Sequence, residues 1–140
     1  MRAFTFNLEQ VLNLKQFQEN EAKVELGKAI SNLQSIEQKL LILAEERAKA
    51  ASDQFKSGNT ASVIQQYMFY LLRLDAAKEQ LVQDAALAEM KVEEARNAFI
   101  EAQKERKPLD KLKEKRLKEY RKEMLGEETK VVDDIRRQNG

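Results

Sequence analysis

Apolar residues recur along this chain at alternating steps of three and four. Starting from Leu12, the steps land on Leu12, Lys15, Glu19, Ala22, Leu26, Ala29, Leu33, Ile36, Leu40, Leu43, Arg47 and Ala50. Nine of these twelve are apolar, and the positions between them are mostly Glu, Lys, Gln, Asn and Ser. A stripe sustained over about five heptads is the pattern of a helix that buries a narrow seam against another helix. A second stripe runs through Ile64, Tyr67, Leu71, Leu74, Lys78, Leu81, Ala85, Ala88, Val92, Ala95, Phe99, Ala102, Arg106 and Leu109, twelve of fourteen apolar. Its repeated Ala lets two helices approach closely.

The stripes are separated by "KSGNTAS", Lys56 to Ser62. Gly58 and Asn59 tolerate positive φ and suit a helix C-terminus. Thr60 or Ser62 can cap the next helix, and Ser62 with Gln65 has capping-box spacing. A short turn between two apolar stripes predicts an antiparallel helical hairpin. The expected fold is therefore all-α: a long two-helix antiparallel coiled-coil hairpin with a protruding C-terminal helix, one domain over residues 1–140. Helix one is expected over about 6–56, the turn over 57–61, and helix two over about 62–137. At 1.5 Å per residue these helices measure about 75 Å and about 110 Å, so folding back leaves everything after about residue 112 without an intramolecular partner. Pro108, in "ERKPLDKLK", removes one helical hydrogen bond and predicts a kink, or a break with Pro108 opening a new helix.

One stretch does not fit a thin two-helix seam. "IQQYMFYLLRL", Ile64 to Leu74, is the most apolar and aromatic part of the chain. At 100° per residue Tyr67, Leu71, Leu74 and Lys78 cluster as seam, whereas Phe69 falls nearly opposite and Leu72 more than about 100° away. Met68 and Tyr70 lie on the flanks. A two-helix hairpin cannot bury every side, so either Phe55 and the loop fold over Phe69 or the patch is a partner surface.

Charge changes the picture in one place. Of 140 residues 35% are charged, and 25 Lys and Arg nearly balance 24 Asp and Glu. Residues 104–122 nevertheless hold ten bases against four acids, a local excess of six. Such a collar is a solvated face, a surface for an acidic protein, or a phosphate-binding segment. The absence of Cys and His removes thiolate chemistry, the usual general base and the commonest metal ligand. Asp133 and Asp134 read as surface charge rather than a metal site. With no phosphate loop and no nucleophile–base pair, an enzyme is not expected. "MRAFTFNLEQ" has no apolar core of a secretory signal, and no window approaches a membrane span, so a cytoplasmic chain is expected.

Three segments in order carry a family resemblance: "FTFNLEQVLNLKQFQENEAKVELGKA", "GNTASVIQQYMFYLLRL" and "LDKLKEKRLKEYRKEM" followed by "KVVDDI". They resemble the opening, the tip turn and the basic C-terminal segment of the bacterial flagellar export protein FliJ family. Pro108 departs from the unbroken helix expected there. The resemblance implies a coiled-coil stalk similar to the γ subunit of rotary ATPases, without catalysis and without a cofactor. Its implied partners are the flagellar export ATPase ring, the membrane export gate protein and substrate chaperones. No nucleic acid and no small-molecule substrate is implied. The implied location is the cytoplasm, peripherally at the inner face of the membrane. The resemblance places ATPase binding on Phe4, Phe6, Leu8, Lys113, Arg116, Tyr120 and Arg121, and gate binding on Phe69, Tyr70, Leu72 and Leu74. Other readings remain: the equivalent stalk of a virulence-type secretion system, a structural coiled-coil dimer, or a nucleic-acid-binding helical protein.

Overall fold

The computed structural model describes residues 2–139. It consists of two helices, α1 (Glu9–Gln54) and α2 (Ala61–Asn139), packed antiparallel as a coiled-coil hairpin. The chain divides into two compact units, one formed by Met1–Ala22 with Ala98–Gly140 and the other by Lys23–Asn97.

In the second unit the seam is the one that the heptad spacing predicts. Leu43, Ala50, Leu74, Ala88 and Val92 are buried. The other predicted seam positions of this unit are half-buried, except Lys78, which is exposed. Ala88 and Ala50, at 2% and 5% exposed, are the small residues that let the backbones come close. The charged seam position Arg47 is not wasted. Its Nε donates to Asp75 Oδ1 at 2.6 Å and its Nη2 to Oδ2 at 3.2 Å. This two-pronged bond holds the Asp75 carboxyl below its ordinary range, with Lys78 adding to the effect and desolvation opposing it.

The turn is built by three side chains. Gly58 takes φ 91°, the one positive φ among the described residues. The Asn59 amide donates to the carbonyls of Asp53 (2.8 Å) and Gln54 (3.1 Å), satisfying two of the orphan acceptors at the end of α1. Thr60 caps α2: its Oγ1 accepts the Val63 amide at 3.3 Å. Of the two capping candidates the chain uses Thr60, and Ser62 lies inside the helix. Buried Gln54 reaches across the turn to donate to the Ile64 carbonyl at 3.3 Å.

In the first unit Leu12 is 1% exposed, and Lys15, Glu19, Ala22, Phe99, Ala102, Arg106 and Leu109 are half-buried around it. The charged seam positions again find partners. Lys15 bonds Glu105 at 3.0 Å, and Arg106 bonds both Glu19 and Asp110. Those two carboxylates raise the Arg106 guanidinium above its ordinary value, Glu19 the more strongly. α2 runs through Pro108 without a break. The expected restart at Pro108 therefore does not occur. The Arg106–Asp110 pair spans the proline on the same helix, and i,i+4 pairing of this kind supports a helix locally.

Candidate functional site

Residues 2–8 are not helical, and α1 starts at Glu9 rather than near residue 6. The reason is a period-two pattern. Phe4 is half-buried and Phe6 buried while Ala3 and Thr5 are exposed, as in an extended chain lying on a surface, and half-buried Leu8 follows in the turn. A turn from the Glu9 amide to the Phe6 carbonyl, at 3.0 Å, then leads into α1.

The surface beneath this segment is the part of α2 that the helix lengths alone left unpartnered. The Phe4 and Tyr120 rings are tilted by 49° with centroids 5.5 Å apart. The Tyr120 hydroxyl donates to the Arg2 carbonyl. Phe6 is 7% exposed, and the Arg116 guanidinium lies 6.0 Å from its ring centroid. Arg116 also donates to Asn7 Oδ1 at 3.0 Å, and Lys113 Nζ pairs with Glu9 at 2.9 Å.

Two expectations change as a result. The free part of α2 does not begin after residue 112: Leu112, Lys113, Leu117, Tyr120 and Met124 are half-buried, and continuous exposure starts at Leu125. The N-terminal segment extends the packed region beyond what two helices alone would reach. And Phe6 is a buried anchor, so its ring cannot itself meet a partner. Of the other residues assigned to ATPase binding, Phe4, Leu8, Lys113 and Tyr120 are half-buried in this cluster. Arg116, exposed, is tied to Asn7, and Arg121 is exposed with no partner among the described residues. Beyond the cluster, α2 presents Leu125, Val131, Val132 and Ile135, each 47–63% exposed.

In the second unit the tip surface comes from the first turns of α2. Phe69 and Leu72 are 56% and 57% exposed, as the outward angles predict, and Tyr70 is 37% exposed. Arg73 lies 5.9 Å from the Tyr70 ring centroid, a cation–π contact. Leu74 does not belong to this surface. It is 8% exposed in the seam, three residues after half-buried Leu71 on the same face. Phe55 does not shield Phe69 from solvent, being itself 75% exposed, and Met68 is half exposed at 51%. Both are additional apolar side chains of the tip. Their exposure depends on how the turn closes, which periodicity does not give.

Among the described residues no group of three or more carboxylate, His or Cys side chains could hold a metal ion. Among the same residues no helix is long and apolar enough to cross a membrane.

Comparison with known proteins agrees with this architecture. The family model described as "Flagellar FliJ protein" matches residues 4–139. No curated protein matches the chain. A solved structure of a YscO homolog from Chlamydia trachomatis superposes with a TM-score of 0.63 at 21% identity, covering 95% of this chain and 93% of that one. At that identity the likeness concerns the fold.

Proposed function

We propose, because the chain belongs to the flagellar FliJ family, that it serves as a coiled-coil stalk of the type III protein-export apparatus. In this reading its first unit inserts in the ring of the export ATPase and promotes ring assembly and turnover. The observation that carries the reading is the family match over residues 4–139. The geometry refines which residues would act. Arg121 and the apolar side chains Leu125, Val131, Val132 and Ile135 are free to meet a ring lining. Phe4, Phe6, Leu8, Lys113, Arg116 and Tyr120 would act by locking the N-terminal segment against α2. The tip residues Phe69, Tyr70 and Leu72, with Phe55 and Met68, would contact the membrane export gate, and the chain would also engage substrate chaperones. Its place would then be the cytoplasmic face of the membrane, reached through the export apparatus.

The test uses purified components. The chain is added to the export ATPase of the same organism, and ATP turnover and hexamer formation are followed together. Both are expected to rise. Truncation after Met124 keeps the N-terminal cluster and removes the exposed end, and is expected to abolish both effects. No response to the full chain would remove the stalk reading, and a fully active truncation would remove the terminal helix from it. The fold shared with a YscO homolog supports a second reading, a stalk of a virulence-type system. Stimulation of that system's ATPase, without stimulation of the flagellar one, would favour it.

A further inference from the structure

The ten bases of residues 104–122 do not share one surface. At 100° per residue Lys104, Lys107, Lys111, Lys115, Lys118 and Lys122 fall within about 40° of a single line along α2. All six are exposed. The row is about 27 Å long at 1.5 Å per residue. Arg106, Lys113 and Arg116 point elsewhere and are engaged by Glu19, Glu9 and Asn7, and exposed Arg121 lies about 80° to one side of the line. Within the row, Lys104 alone holds a carboxylate among the described residues, Glu101 at 3.6 Å with both side chains exposed. Glu114 and Glu119 sit to either side of the line rather than on it. Ile100 and Leu125, 40% and 63% exposed, fall on the same line beyond its two ends.

A row of like charges at spacings of three and four works against the helix that carries it. Glu101 at 3.6 Å from Lys104, and Glu114 and Glu119 on the flanks, offset part of this repulsion. The other five lysines hold no carboxylate among the described residues, so a ligand outside the chain is their natural counterpart. The chemistry narrows that ligand. The row is lysine only, so it offers compact, hydrated point charges and none of the planar forks that grip phosphates two-pronged. No aromatic side chain stands on the line to stack a base. No apolar seam runs between the lysines for a partner helix to bury. The phosphate strands of a duplex wind away from a straight row, whereas a flat anionic surface meets all six lysines at once.

We propose that this row rests on the anionic headgroups of a lipid membrane, with Ile100 and Leu125 dipping into the interface at its ends. The proposal shares Leu125 with the export reading, but it rests on the lysine row and is read by a different assay.

The experiment is flotation of the full chain with vesicles of phosphatidylcholine containing about a third phosphatidylglycerol, a lipid of the anionic class that attracts basic segments. Binding is expected to these vesicles, to be absent with phosphatidylcholine alone, and to fall as salt rises. Each lysine changed to Gln along the row is expected to weaken partitioning about fivefold. The variant K104Q/K107Q/K111Q/K115Q/K118Q/K122Q is expected to lose binding. The charge-matched variant K23Q/K28Q/K39Q/K49Q/K78Q/K91Q is expected to keep it, with both variants confirmed helical by circular dichroism. Equal loss in the two variants would show a net-charge effect and overturn the proposal. So would absence of binding to anionic vesicles, or displacement from them by duplex DNA at equal phosphate concentration.

Discussion

Replacing Phe6 with Ala probes how the N-terminal segment is held. Phe6 is as buried as the seam of the hairpin, at 7% exposed. Yet it sits in a segment outside both helices. A Phe→Ala change in a core shared by the whole fold costs about 3–5 kcal/mol. Here the loss is capped, because residues 2–8 can undock while α1 and α2 stay packed, and no more than the docking free energy can be lost. Leu12 has no such escape, since it is 1% exposed within α1. Leu12→Ala should cost about 3 kcal/mol, which for a chain of this size lowers Tm by about 10 °C. Phe6→Ala should lower it by less than about 4 °C, although it removes the larger side chain, on the view that docking contributes about 1 kcal/mol. The assay is a thermal melt of both variants beside the parent, with fluorine NMR of 3-fluorotyrosine. The chain has three Tyr. Only the Tyr120 resonance should move, to the position and line width of a solvated ring, because its hydroxyl contact with Arg2 and its stack on Phe4 go with the segment. A Tm loss in Phe6→Ala as large as that in Leu12→Ala would refute the argument, as would an unmoved Tyr120 signal.

The remaining predictions concern the second unit and the free end. Arg47 holds the Asp75 carboxyl below its ordinary value, so the pair stabilises the fold above the unfolded value of about 3.9 and loses this as pH falls through the lower folded value. Asp75→Asn should therefore melt below the parent at neutral pH, with the gap closing below about pH 4, as followed by melts across a pH series. Phe69→Ala with Leu72→Ala should change Tm by no more than about 2 °C, as surface changes do, while weakening capture by the purified export gate protein. A large Tm loss would mean the pair is core. Truncation after Met124 should leave the Tyr120 fluorine signal at its parent position, because no hydrogen bond or ion pair joins the described residues from Leu125 onward to the N-terminal cluster.

How much of this was legible in the sequence depends on the range of the interaction. The seam was, because each stripe residue needs only an apolar neighbour across the interface and a period of three and four supplies that wherever the helices meet. The outward angles of Phe69 and Leu72 were legible for the same reason. The N-terminal segment was not read correctly. Phe4 and Phe6 alternate with exposed neighbours as an extended chain does, but apolar positions next to a long helical stripe are easily absorbed into it. That error set the free end of α2 at residue 112 instead of Leu125. The lysine row was present in the spacing but hidden by Arg106, Lys113 and Arg116, which share its stretch of sequence and not its face. Separating the two sets required knowing that Glu19, Glu9 and Asn7 are where these three side chains go.

The polar seam positions show why periodicity cannot supply that knowledge, and why the fold still finds one register. A seam of Leu, Ala and Val is nearly indifferent to a slip of one heptad, since every apolar position meets another apolar position. Lys15, Glu19, Arg47 and Arg106 looked in the sequence like gaps in the stripe. In the fold they bond Glu105, Arg106, Asp75 and the Glu19–Asp110 pair. A slip of seven residues within the first unit would bring Arg106 level with Leu12, leaving Glu19, half-buried, without Arg106 and Arg106 with Asp110 alone. The cost of leaving such groups unpaired exceeds what the pairs add when made. The charges therefore act less as glue than as a penalty on wrong alignments. That alignment carries the structure of the first unit, because it sets Lys113, Arg116 and Tyr120 at the heights where Glu9, Asn7 and Phe4 can reach them.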